Sequence, residues 1–146
     1  MHPNPGNNAD PLARLAACGA LLAGAAVALG AFGAHALRHS LATEPLALWQ
    51  TAVQYQFWHA LALLALPALQ RHRSEHGDRN RMFTLSGLAL AAGVLLFSGS
   101  LYALALGAPR WFGMLTPVGG VLWLLAWMAL AWQLWCVPPA MPEKKQ

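Results

Sequence analysis

Residues 12–37 read LARLAACGALLAGAAVALGAFGAHAL, and this run decides the fold. Arg14 near its start, His35 near its end and the Cys18 thiol are its only ionisable side chains. At about 1.5 Å of helical rise per residue, it exceeds the roughly 30 Å hydrocarbon thickness of a bilayer. More than half of it is alanine or glycine, so it predicts a thin membrane-spanning helix. Ala16, Ala20, Gly24 and Ala28 recur every four residues along one face, and Ala26, Gly30 and Ala34 mark another. Small residues at this spacing let helix backbones approach closely in lipid, where packing replaces the hydrophobic drive. The expectation is a central helix with neighbours on several sides. Ala34-His35-Ala36 loosely matches a signal-peptidase site. The run, however, is longer than an apolar signal core of about 7–15 residues, so a retained helix is expected.

Working outward, three more apolar runs follow. Thr43-Glu44-Pro45 reads as a helix start with Thr43 as N-cap, opening a second helix over residues 46–69. Pro67 is placed to bend or end it. Trp49 and Trp58 are candidates for the membrane interface. The third run covers residues 82–106, with Gly87, Gly93 and Gly99 as close-packing points. Thr116-Pro117 repeats the cap-plus-proline signal before a fourth helix over residues 118–136, where Trp132 and Trp135 suit an aromatic belt and Trp123 and Trp127 suit packing. Gly119 and Gly120 join Gly24, Gly30, Gly33 and Gly99 as expected close-packing positions. Residues 1–11 and 137–146 read as polar tails.

The predicted fold is all-α: one domain over residues 12–136, an integral membrane four-helix bundle running up-down-up-down. Composition agrees. The chain is 58% hydrophobic and 10% charged, with mean hydropathy +0.44, against roughly 25% charged residues in soluble domains. Its net charge of +4 sits in short loops with no basic face, which argues against nucleic acid as a partner. Cys18 and Cys136 form no C-x-x-C pair and no His/Cys group at zinc spacing, so both read as packed thiols and no metal or cofactor is implied. With four spans, both tails and the middle loop share one side. That side carries Arg14, Arg71, Arg73, Arg79, Arg81, Lys144 and Lys145, against Arg38 and Arg110 on the other. The positive-inside rule then puts both termini in the cytoplasm.

Polar residues inside the spans need partners in the bundle. Ordered by depth, Tyr55, Gln56, His59, Ser98 and Ser100 fall in the outer half of the membrane, with His35 and Tyr102 above them. They predict one outward-facing polar cluster. It serves either as interhelical glue or as the lining of a cavity for a small solute, lipid or quinone. Sharper chemistry fails on specifics. Haem between His35 and His59 is disfavoured by a depth difference of roughly 10 Å from helical rise. The Gly-x-Ser-Gly pattern of rhomboid proteases is broken at Leu96, and every Asp and Glu lies outside the spans, against a proton-coupled exporter. No enzyme chemistry is expected. The remaining partners are the bilayer itself and a second copy or another membrane protein.

The combination of GAFGAHAL (residues 30–37), YQFWHALALL (55–64), LFSGSLYALAL (96–106) and TPVGG (116–120), with Trp127, resembles the YgdD-like family of small four-helix membrane proteins. The resemblance implies a bacterial inner-membrane location, and the family brings no established activity. It marks Gly30, Gly33, His35, Tyr55, Gln56, His59, Ser98, Gly99, Ser100, Tyr102, Pro117, Gly119 and Gly120 as motif positions, not catalytic ones.

Overall fold

The computed structural model describes residues 10–71 and 77–136, and these are helical throughout apart from short connections. The expected tails and the centre of the basic loop (residues 72–76) lie outside the described residues. Helix α1 covers Pro11–His35. The Asp10 carboxylate accepts the Leu12 backbone N–H at 3.1 Å, and Pro11 takes the first-turn position where no N–H is needed. A 3-10 turn, Leu37–His39, leads toward α2, Thr43–Arg71. Thr43 is therefore the first residue of α2, not its cap, and the helix passes through Pro67 without ending.

The third rod is made of α3 (Gly77–Gly93), a π-helical turn (Val94–Ser98) and α4 (Gly99–Ala105). It ends in a Schellman motif. Gly107 adopts φ 90°, a left-handed conformation suited to glycine. Its N–H reaches the Leu104 carbonyl at 3.0 Å, and the Ala108 N–H reaches that of Ala103 at 2.9 Å. A second 3-10 turn, Arg110–Met114, runs directly into α5, Leu115–Trp135. Because that turn already sets the helical course, Thr116 lies inside α5 and is not its cap.

By length and composition three helical stretches are able to cross a membrane: Pro11–His39, Arg81–Ala105 and Arg110–Trp135. Helix α2 is as long, but Gln50, Gln54, Gln56 and His59 make it more polar. Large apolar side chains cover the outside, among them Leu21 (76% exposed) and Trp135 (91% exposed). Such a surface suits a hydrocarbon solvent.

The helices pack around a central pair, α2 and the third rod. Helix α1 lies along α2 and touches α3, while α5 packs on α3 and the π turn. The expectation that α1 is central is corrected: most of its surface faces outward. Its packed face runs Leu12, Leu15, Gly19, Ala26 and Gly33, and the Ala20–Gly24–Ala28 stripe is exposed. Small residues occupy nearly every face of this helix, so their spacing alone could not pick the packed one.

The close approaches fall accordingly. A Cβ on Gly19 would stand 2.8 Å from the Ala60 carbonyl oxygen, and one on Gly33 would stand 2.7 Å from the Trp49 ring. On the other side of the molecule, a Cβ on Gly119 would lie 2.6 Å from the Phe97 backbone nitrogen and 3.0 Å from the Gly93 carbonyl oxygen. The Gly87 position is filled by Leu15 and Leu66 side chains, and Gly93 faces the Trp123 indole. Gly30 and Gly120 make only ordinary contacts, and Gly24 and Gly99 face open space, so close packing at these last two is not found. Trp49, a candidate for the interface, is buried between helices, its Nε1 donating to the Leu29 carbonyl at 2.9 Å. One further expectation changes. Cys136 is exposed and Cys18 half-buried, so neither is a fully packed thiol.

Candidate functional site: three polar stations and a lateral groove

The predicted cluster divides into separate stations, because helices that turn about 100° per residue aim successive polar groups at different neighbours. The first station is Gln56, buried on α2. Its Nε2 donates to the Leu22 carbonyl of α1 at 2.8 Å, and its Oε1 accepts the Tyr102 hydroxyl of α4 at 3.0 Å. A helical carbonyl has a second lone pair free for such a bond. The Tyr102 ring meets Trp49 edge-on at 4.7 Å, so one amide holds α1, α2 and α4 in register.

The second station joins α4 to α5. The Ser100 hydroxyl donates to the Phe97 carbonyl at 2.9 Å and lies 2.7 Å from the Thr116 hydroxyl. A hydroxyl has one proton to give, so Thr116 is the donor of this pair. Thr116 makes its bond sideways, to the third rod.

The third station is His59. Its ring stacks on Trp123 with centroids 3.6 Å apart and planes 7° from parallel. Tyr55 lies nearly parallel to the same indole at 5.7 Å, and Phe97 closes the arrangement 4.7 Å from Trp123. The imidazole Nδ1 lies 2.8 Å from the Tyr55 carbonyl oxygen, and Nε2 lies 3.3 Å from the Trp127 indole nitrogen. Trp123 in turn donates to the Leu90 carbonyl at 3.1 Å, which fixes the plane against which His59 stacks. Side chains, not close backbone packing, bridge α2 and α5 here, and beside them runs a cavity of about 520 Å³. Tyr55, His59, Phe97, Pro117, Trp123 and Trp127 are among the residues lining it.

Two predicted members stand apart. His35 is exposed and joins none of these stations. Ser98 is fully buried, and its Oγ has no partner among the described residues. A helical serine ordinarily bonds the carbonyl four residues back. That carbonyl is Val94's, and the π turn directs the Gly99 N–H onto it.

Sequence reasoning undervalued Thr116, Trp123 and Trp127, whose cap and packing assignments concealed their hydrogen bonds. It missed Gln133, whose Nε2 donates to the Ala129 carbonyl at 3.0 Å and reaches Ser86 Oγ at 3.4 Å. The signal was present: a lone amide in an apolar spanning run needs a partner. Among the described residues no group of three His, Cys, Asp or Glu side chains is arranged to hold a metal ion.

Residues 29–120 match the model of a family described as "Protein of unknown function (DUF423)". The chain belongs to the DUF423 family. The UPF0382 membrane protein SSP2132 of Staphylococcus saprophyticus is 42% identical over 112 residues, which cover 77% of this chain and 88% of the relative. The UPF0382 membrane protein of Haemophilus influenzae is 44% identical over 106 residues, 73% of this chain and 81% of the relative. The UPF0382 inner membrane protein YgdD of Escherichia coli is 46% identical over 102 residues, 69% and 73% respectively. The resemblance seen in the sequence motifs is therefore a family relationship, and it is with membrane proteins. No solved structure matches the chain. The DUF423 match spans Tyr55, Gln56, His59, Ser98, Ser100, Tyr102 and Thr116, while Trp123 and Trp127 lie beyond it.

Proposed function

We propose that this DUF423 protein is a structural or accessory multi-pass protein of the bacterial inner membrane. It forms an up-down-up-down bundle of four spans with both termini in the cytoplasm, and its polar residues lock the helices together without enzymatic chemistry. The Gln56 bridge carries the reading: one buried amide bonds two other helices and leaves neither of its polar atoms free for a substrate. The antiparallel course is supported by the pairing of Gly19 with Ala60 and of Gly33 with Trp49 along α1 and α2. Between the third rod and α5 it is supported by Gln133 beside Ser86 and Ser100 beside Thr116. The inner-membrane location follows that of the Escherichia coli relative named above, and the arginine asymmetry favours a cytoplasmic middle loop. The exposed apolar surface of α1 leaves room for a second copy or another membrane protein beside it.

The test is a double-mutant cycle of Gln56→Leu and Tyr102→Phe, read by unfolding in detergent micelles. The expected coupling is about 0.6 kcal/mol, typical of hydrogen bonds between membrane helices. Strict additivity would remove the lock. Orientation is tested separately with a cysteine introduced at Arg71, which should resist a membrane-impermeant thiol reagent applied outside intact cells. Efficient labelling there would reverse the topology.

A further inference from the structure

We propose that the groove between α2 and α5 binds the ring of a membrane-dissolved quinol, with His59 Nε2 accepting its hydroxyl. The protonation pattern of His59 is set by its neighbours. A carbonyl only accepts, so Nδ1, 2.8 Å from the Tyr55 carbonyl oxygen, carries a hydrogen. An indole N–H only donates, so Nε2 facing Trp127 is a bare acceptor. That second contact is long, at 3.3 Å, against 2.8 Å for the first. Trp127 is 47% exposed and its indole N–H has no other acceptor among the described residues, so it yields its place readily to a stronger donor. An imidazole nitrogen has one in-plane lone pair, and an arriving hydroxyl takes the position of the indole, which swings outward.

The walls select the shape of the occupant. The rings of His59, Tyr55 and Trp123 are nearly parallel, and Phe97 packs against both Tyr55 and Trp123. Flat aromatic surfaces favour an offset-stacked or edge-on aromatic partner over a branched aliphatic one. The mouth selects the route. Val121 and Leu124, which line the groove, are 53% and 65% exposed on the apolar outer face of α5. An occupant therefore arrives sideways from the bilayer and leaves an apolar tail in it. At about 520 Å³ the cavity falls in the range of small-molecule sites, roughly 300–1,000 Å³. A flat ring, a hydroxyl donor and a lipid tail together describe a quinol. The oxidised quinone has carbonyls in place of the hydroxyls, so the bare acceptor favours the reduced form. The inference concerns binding alone and involves no electron transfer. It is independent of the Gln56 lock, which faces other helices.

The probes are duroquinol and its dimethyl ether, titrated anaerobically into the protein in phosphatidylcholine nanodiscs, with empty nanodiscs as the partition control. Saturable one-to-one binding of duroquinol is expected. Dimethylation and His59→Phe should each weaken it about tenfold or more, the loss of one good hydrogen bond. Leu124→Trp, which places a bulky ring on the exposed lip, should block binding to the same degree with unchanged melting. Gln56→Leu should leave the dissociation constant within about twofold while lowering stability, so failure of the lock and failure of the groove are read separately. Duroquinol uptake no greater than in empty nanodiscs overturns the proposal. So does equal affinity for the dimethyl ether, or full affinity in both His59→Phe and Leu124→Trp.

Discussion

Gln56 and His59 stand three residues apart on α2, both buried, and the structure treats them in opposite ways. Gln56 faces α1 and α4 where backbones and rings close around it, and both ends of its amide are held at 2.8 and 3.0 Å. His59 faces α5 across a gap filled by aromatic rings, and one side of its imidazole meets a single long contact beside a cavity. The difference lies in what surrounds them. On the Gln56 side Gly33 admits the Trp49 ring against α1, and Trp49 packs on Tyr102. On the His59 side Gly93 and Gly119 bring α3 and α5 so close together that α5 is drawn onto the third rod and leaves α2 bridged by side chains. Close packing in one seam opened a groove in the next. On the proposed reading, a polar residue in this bundle is a lock or a site according to the backbone spacing around it.

The comparison is broken most severely at the seam. Gly119→Leu drives a side chain into the Phe97 backbone, which places it at or above the upper end of the roughly 1–3 kcal/mol typical of overpacking. It should give the largest loss in an unfolding titration; a melting temperature close to wild type would mean that α5 does not sit where the structure has it. Gln56→Leu comes next. It strands the Tyr102 hydroxyl, and the expected cost is about 1–3 kcal/mol in the same assay. His59→Phe keeps a flat ring against Trp123 and forfeits the contacts to the Tyr55 carbonyl and the Trp127 indole, so about 0.5–1.5 kcal/mol is expected. If His59→Phe destabilises more than Gln56→Leu, the assignment of lock and groove is reversed. The smallest effect belongs to Gly24→Leu, within about 0.5 kcal/mol, because its Cβ points into open space. A large loss there would reveal a neighbour pressed on α1, and cross-linking at Gly24 would then identify it.

The legibility of the molecule follows the same division. The helical runs were readable to within a few residues, since apolar length and N-terminal prolines act locally. The exception was local too: the 3-10 turn before α5 extended that helix past its expected cap. The candidate site was readable as a list of residues and not as an arrangement. Tyr55, Gln56, His59, Ser100 and Tyr102 are all engaged at interhelical stations, but at separate ones. His35 joins none, and Ser98 is buried at the end of a π turn that no sequence pattern announced. Thr116 looked like a cap because Thr-Pro favours one, and its bond to Ser100 depends on a helix sixteen residues away.

Composition and run length alone establish that the chain is helical, that its runs suit a membrane, and that polar residues inside those runs need partners. Those properties add up residue by residue along one helix and need no neighbour to define them. Only the tertiary structure decided that α2, not α1, lies at the centre, that Gly19 and Gly119 are points of closest approach while Gly24 is free, and that His59 borders a cavity. Alanine and glycine permit contact on every face they occupy. Which face is used depends on the rotation and spacing of helices distant in sequence, and that is settled when the bundle packs as a whole.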